Sequence, residues 1–72
     1  MVMNHMPRHH FVVCEPDHTR DDPDGMQLPN HEVAKNHGNR IVRELKDGGY
    51  SPGNAALVIR DETGQPVYSI AF

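Results

Sequence analysis

Tryptophan is missing from this sequence of 72 residues, and cysteine occurs once, at Cys14. An intrachain disulfide is therefore excluded. Secreted domains of this size are generally stapled by several disulfides, so the chain reads as a protein of a reducing cytoplasm. Long apolar runs are missing as well. The run Phe11-Val12-Val13-Cys14 is flanked by His9, His10 and Glu15. It is too short for the apolar region of a signal peptide and far from the roughly 20 apolar residues of a membrane span. Positive charge is in deficit: seven Lys and Arg against ten Asp and Glu give a formal net charge of −3. Binding to nucleic acid or anionic lipid would need a local basic patch.

What is present suits one small folded unit. A length of 72 residues leaves room for one domain with a thin core. A mean hydropathy of −0.69 is polar, yet the β-branched residues are too many for a wholly disordered chain. Burial in so small a core is nearly cancelled by chain entropy. Self-association is one way to add buried area.

Residues 1–7, MVMNHMP, carry no periodicity and read as a disordered leader, with Met6 an alternative start to Met1. The domain is then 8–72. Residues 8–14 are rich in β-branched and aromatic types and form a first strand, with Phe11 and Val13 on one face and His10, Val12 and Cys14 on the other. Residues 15–25, EPDHTRDDPDG, hold two prolines and five acids and read as a solvated acidic loop. Residues 26–28 offer at most a short strand before Pro29.

Asn30 is a good N-cap for a helix from about His31 to Asp47, with Glu32 at its positive end, Lys46 in its last turn and Gly48-Gly49 as the stop. A rotation of about 100° per residue puts Ala34, Gly38, Ile41 and Leu45 on one stripe, with Val42 at its border. Gly38 costs about 1 kcal/mol against alanine in mid-helix. A close approach of the helix to the sheet would account for it. Residues 56–61 and 66–72 form a hairpin, and Asp61-Glu62-Thr63-Gly64 suits a type I turn with a glycine bulge. Leu57 and Ile59 then share a face, as do Tyr68, Ile70 and Phe72. The expectation is an α+β domain, β-(β)-α-β-β, with an antiparallel-rich sheet of three to four strands on one helix. The place of the first strand beside the hairpin stays open.

Met6-Pro7-Arg8 before the first strand, Asp24-Gly25-Met26-Gln27-Leu28-Pro29, the Ala34 helix, and the ending Asp61-Glu62-Thr63-Gly64-Gln65-Pro66-Val67 with Phe72 carry a likeness. In their order and spacing they resemble a family of short domains of unknown function common in rhizobia and related alphaproteobacteria. The chain departs from that pattern at His9 and His10, at Glu15-Pro16-Asp17, and in a helix poorer in alanine. The resemblance implies the architecture and a bacterial origin, and it assigns no activity to any residue.

Six histidines and one cysteine invite a metal or redox site through His9, His10, Cys14 and His18. On a strand rising about 3.3 Å per residue, His10 and Cys14 lie about 13 Å apart, too far to share an ion. His9 faces the other way. Only a chain reversal after Cys14 could gather Cys14 and His18, whose spacing is neither the CxxC nor the HxxxH pattern. The plainer reading is a small buried thiol and exposed strand imidazoles, with no cofactor. Asp22, Asp24 and Gly25 mimic part of a calcium loop, but Arg20 and His31 then fall where acids are required. Cys14 with His18, or Ser51 with a histidine, lacks the third group that orients a nucleophile and its base.

Lys35, Asn36, Asn39, Arg40, Arg43 and Lys46 lie opposite the apolar helix stripe and could meet phosphates. The plainer reading, a solvated outer face, is preferred because Glu44 and the acidic loop offset the charge. The sequence therefore points to a non-enzymatic protein-interaction or regulatory module, self-associating or bound to a protein partner, with no membrane contact. A nucleic-acid-associated regulator is the alternative, and a metal or redox sensor the third reading.

Overall fold

The structure, a computed structural model, describes residues 6–72. The elements are β1 (Arg8–Glu15), β2 (His18–Arg20), β3 (Met26–Gln27), α1 (His31–Asp47), β4 (Ala56–Arg60) and β5 (Pro66–Ala71). Every strand pairing is antiparallel. The sheet runs β2-β1-β4-β5, with β3 attached to the start of β1, five strands among the described residues. It is the small α+β architecture expected, and it decides the strand order: β1 lies against β4. Of the expected leader, residues 1–5 lie outside the described residues. The Pro7 carbonyl accepts a bond from the Leu28 N–H at 3.1 Å, which continues the β1–β3 ladder.

The helix forms where its caps dictate. The Asn30 side chain accepts the Val33 N–H at 2.9 Å and relieves one of the unpaired donors of the first turn. At the other end Tyr50 N–H donates to Leu45 O at 2.9 Å and Gly49 N–H to Lys46 O at 3.0 Å, the paired bonds that close a helix on a glycine. Between the caps, Ala34, Gly38 and Val42 are buried while Ile41 and Leu45 are half-buried. Val42 is thus central to the buried line and not at its border. The reason is Gly38, because the row of residues four apart that passes through it contains Ala34 and Val42.

A Cβ placed on Gly38 would meet Ile59 Cδ1 at 2.8 Å, Ile70 Cδ1 at 3.0 Å and Leu57 Cδ2 at 3.3 Å. Helix and sheet touch most closely here. Leu57 and Ile59 are fully buried beneath the contact. On one flank His37 stacks edge-on against Phe11, with ring centroids 5.1 Å apart. On the other, the Lys35 ammonium lies 5.0 Å from the centre of the Tyr68 ring. Tyr68, expected in the core, is 40% exposed, because β5 is the sheet edge and the helix covers it only as far as Ile70.

Residues 15–25 need the largest correction. The chain turns at Pro16-Asp17 and returns as β2, pairing Cys14 with Thr19 and Val13 with Arg20. The Asp22 carboxylate then accepts the Phe11 N–H at 3.0 Å and the Gly25 N–H at 3.2 Å. Gly25 has φ +66, and a Cβ there would stand 2.8 Å from the His9 carbonyl, so only glycine lets the chain lie down on β1 and become β3. The acidic segment therefore seals the outer edge of β1.

The β4–β5 turn matches its expected form. Gly64 N–H donates to Asp61 O at 2.9 Å, Asp61 N–H to Gln65 O at 2.8 Å, and the register shifts at Ile59/Arg60. The Asp61 carboxylate accepts the Thr63 N–H, the Thr63 hydroxyl and the Gln65 N–H. Those bonds, the hydroxyl first, hold its carboxyl below the usual aspartate range.

Two outcomes follow for stability. Gly38→Ala gains about 1 kcal/mol of helix propensity but crowds three core side chains, at a cost of about 1–3 kcal/mol, and lowers the melting temperature. Ile59→Val removes the closest of these atoms, so the double variant loses less than the sum of the singles in urea unfolding. Asp61 is depressed on folding, so its contribution is present above the unfolded value of about 3.9 and is lost as pH falls through the folded value. Asp61→Asn is expected to flatten the acid limb of stability against pH in that window, and an unchanged limb would refute the role of the turn bonds.

Candidate functional site

Alternation along β1 decides the histidine and cysteine candidates. His9 and Phe11 face the helix; His10, Val12 and Cys14 face the opposite side of the sheet, which the helix leaves uncovered and where Val12 is buried all the same. His9 is fully buried, which corrects its reading as an exposed imidazole. Its Nε2 lies 3.0 Å from His31 Nδ1, the two rings are edge-on with centroids 5.2 Å apart, and its buried Nδ1 has no hydrogen-bond partner among the described residues. The less costly tautomer has His9 Nε2–H donating to His31, since that leaves a lone pair and not an N–H unpaired.

His10 Nδ1 donates to the Asp22 carbonyl at 2.6 Å. Cys14 is half-buried, not sealed in the core, and lines an open cleft of about 400 Å³ with Pro16, Ala71 and Phe72. The chain reversal needed to bring His18 to Cys14 does occur. It pairs His18 with Glu15, however, and so turns the imidazole to the opposite face from the thiol. Among the described residues no group of three or more His, Cys, Asp or Glu side chains stands close enough to hold a metal ion.

The outer helix face is divided. Lys35 and Asn39 are half-buried on the flank of the helix, where Lys35 lies over Tyr68. Arg40 pairs with Glu44 at 3.4 Å, an exposed (i, i+4) pair. Asn36, Arg43 and Lys46 are exposed. These six residues do not form one uniform basic surface, because two of the four cations are drawn to partners within the domain.

A wider cleft of about 480 Å³ opens on the uncovered face between Asp22-Pro23 and the Asp61–Gly64 turn, floored by Val12 and flanked by His10 and Arg60. At the far end of the sheet the Tyr50 hydroxyl donates to the Glu15 carboxylate. That bond comes first among the causes that raise the Tyr50 hydroxyl above the usual tyrosine value, followed by burial and the charge of Glu15. Tyr50 also stacks edge-on with Phe72 at 5.2 Å. These contacts anchor the chain after the helix.

The two long edges of the sheet differ. Along the outer edge of β1, backbone groups are met in turn by β2, the Asp22 carboxylate, β3 and Leu28. What then remains outside is β2 and β3, three and two residues long, a brevity that hinders further pairing. β5 is six residues long, forms the other end of the strand order and carries no charged side chain. Phe72 N–H donates to Ala55 O at 3.1 Å. By the two-residue alternation of an antiparallel pair, Tyr68, Ile70 and Phe72 turn their backbone groups toward β4, and Ser69 and Ala71 turn theirs outward. This edge, overlooked by Lys35, is the candidate site. Its signal in the sequence is a stretch from Gly64 to Phe72 without a charge.

The family described as domain of unknown function (DUF6894) matches residues 8–72. The chain belongs to it. The match runs from the first residue of β1 to the end of the chain, so it spans the whole sheet and the helix. No curated protein and no solved structure matches the chain.

Asp22 is the residue at which the closed edge is most exposed to test. Asp22→Ala removes two bonds to a carboxylate, each of the charge-assisted kind, and is expected to lower unfolding free energy by about 2 kcal/mol. The amides of Phe11 and Gly25 should lose exchange protection together. Stability within about 0.5 kcal/mol of wild type would show that the clamp does not hold the segment.

Proposed function

We propose that this domain is a small non-enzymatic interaction module that takes an extended strand from a protein partner along the free edge of β5. One observation supports the reading above others: the contrast between an edge closed by short strands and a carboxylate clamp, and an edge of six residues with outward backbone groups and no charge. Natural sheets usually block such edges with lysine, proline or a bulge. Here the proline and the bulge sit at the start of β5, at Pro66 and beside Arg60, and the stretch beyond them is open. Strand addition draws affinity from main-chain hydrogen bonds and selectivity from side chains on alternate sides. On this edge those are Tyr68 and Ile70 toward the helix, and Ser69 and Ala71 on the uncovered face. A cytoplasmic setting and an alphaproteobacterial origin belong to the same proposal, supported by the lone cysteine and by the sequence resemblance.

Amide hydrogen exchange tests it. In dilute protein the Ser69 and Ala71 amides should exchange at least about tenfold faster than those of Tyr68 and Ile70. They should slow when the protein is concentrated or when bacterial extract is added. Rates that stay fast in both conditions would sink the reading.

A further inference from the structure

We infer that the strand received by β5 is β5 of a second copy of this chain, paired antiparallel about a two-fold axis at Ser69. The inference rests on the edge-pairing reading and names its partner. A two-fold interface brings each residue near the axis against itself or a close neighbour, so any charge there meets its own kind. β1, β2 and β4 each contain an arginine, whereas β5 has no charged residue. Among the described edges it alone combines length with the neutrality that self-pairing needs.

The register follows from the backbone. Pro66 has no N–H to donate, which leaves residues 67–71 to pair, and their midpoint is Ser69. Ser69 has its N–H and C=O turned outward, so Ser69 and its copy exchange both bonds as a hydrogen-bonded pair. Val67 then stands opposite Ala71 of the other copy on the uncovered face, and Tyr68 opposite Ile70 on the helix side. Aromatic and β-branched pairs of this sort stabilise cross-strand contacts. Lys35, folded back over its own Tyr68 ring at 5.0 Å, leaves the strand edge itself uncharged. The two sheets become one continuous sheet, with both helices on one side and the small side chains Ser69 and Ala71 side by side on the other.

Sedimentation equilibrium of the full chain is the test. Wild type should show a monomer–dimer equilibrium. Ser69→Lys, which sets two ammonium groups face to face at an exposed position, should raise the dimer dissociation constant at least about tenfold with an unchanged circular dichroism spectrum. Thr19→Lys on the opposite edge should behave as wild type. In a Cys14→Ala background, two Ser69→Cys chains should be joined by a short bis-thiol-reactive cross-linker, because opposed residues in such a pair are about 5.5 Å apart between Cα atoms. A strict monomer at millimolar concentration, a dimer indifferent to Ser69→Lys, or no cross-link would each overturn the inference. If wild type is monomeric while bacterial extract still protects the Ser69 and Ala71 amides, self-pairing falls and the edge reading stands. If neither occurs, both fall.

Discussion

The contact between Gly38 and the side chains of Ile59, Ile70 and Leu57 is the constraint from which the arrangement of the domain follows. Hydrogen in place of a side chain lets the helix backbone descend onto the middle of the sheet. The helix–sheet distance is then set by the methyl ends of residues on β4 and β5. Once that distance is set, the row through Gly38 is the buried one, and His37 and Lys35 fall on opposite flanks, toward Phe11 and Tyr68. A helix 17 residues long that packs so closely on one face cannot also cover the far face of the sheet or the outer side of β5. The exposed surfaces are a consequence of how tightly the covered one is packed.

So thin a core leaves much of the positioning to polar groups. Among the described apolar residues only Val12, Ala34, Val42, Leu57 and Ile59 are classed as buried, and directional bonds supplement them. Asp22 binds a loop to the edge of β1, Asp61 organises the hairpin turn, and Asn30 starts the helix. Each is a short side chain that accepts backbone N–H groups, which is why Asp and Asn serve there and longer residues do not. His9 is the costly exception. It is fully buried, its Nδ1 has no partner among the described residues, and the bond of its Nε2 to His31 ties the first strand to the first turn of the helix.

Much of the fold was legible in the residues. The helix runs over the expected His31–Asp47 because Asn30, the apolar spacing and Gly48-Gly49 act locally, and the hairpin forms because Asp61 and Gly64 encode its turn within a few residues. The 15–25 segment was not legible. Two prolines and five acids look like a loop, and what makes residues 18–20 a strand is pairing with β1 together with an aspartate bonded to an amide eleven residues earlier. The burial of His9 was hidden for a related reason: its environment comes from the helix start, twenty-two residues away in sequence.

By itself the sequence determined β1, α1 and the β4–β5 hairpin, and the absence of charge from Gly64 to Phe72, because caps, turns and alternation operate over a few neighbouring residues. Tertiary structure alone decided which strand is the edge. An uncharged β5 would be ordinary at the centre of a sheet. It becomes a candidate site because β1 takes the other side of β4, closes its own outer edge with the acidic segment, and leaves the outward groups of Ser69 and Ala71 facing away from the sheet.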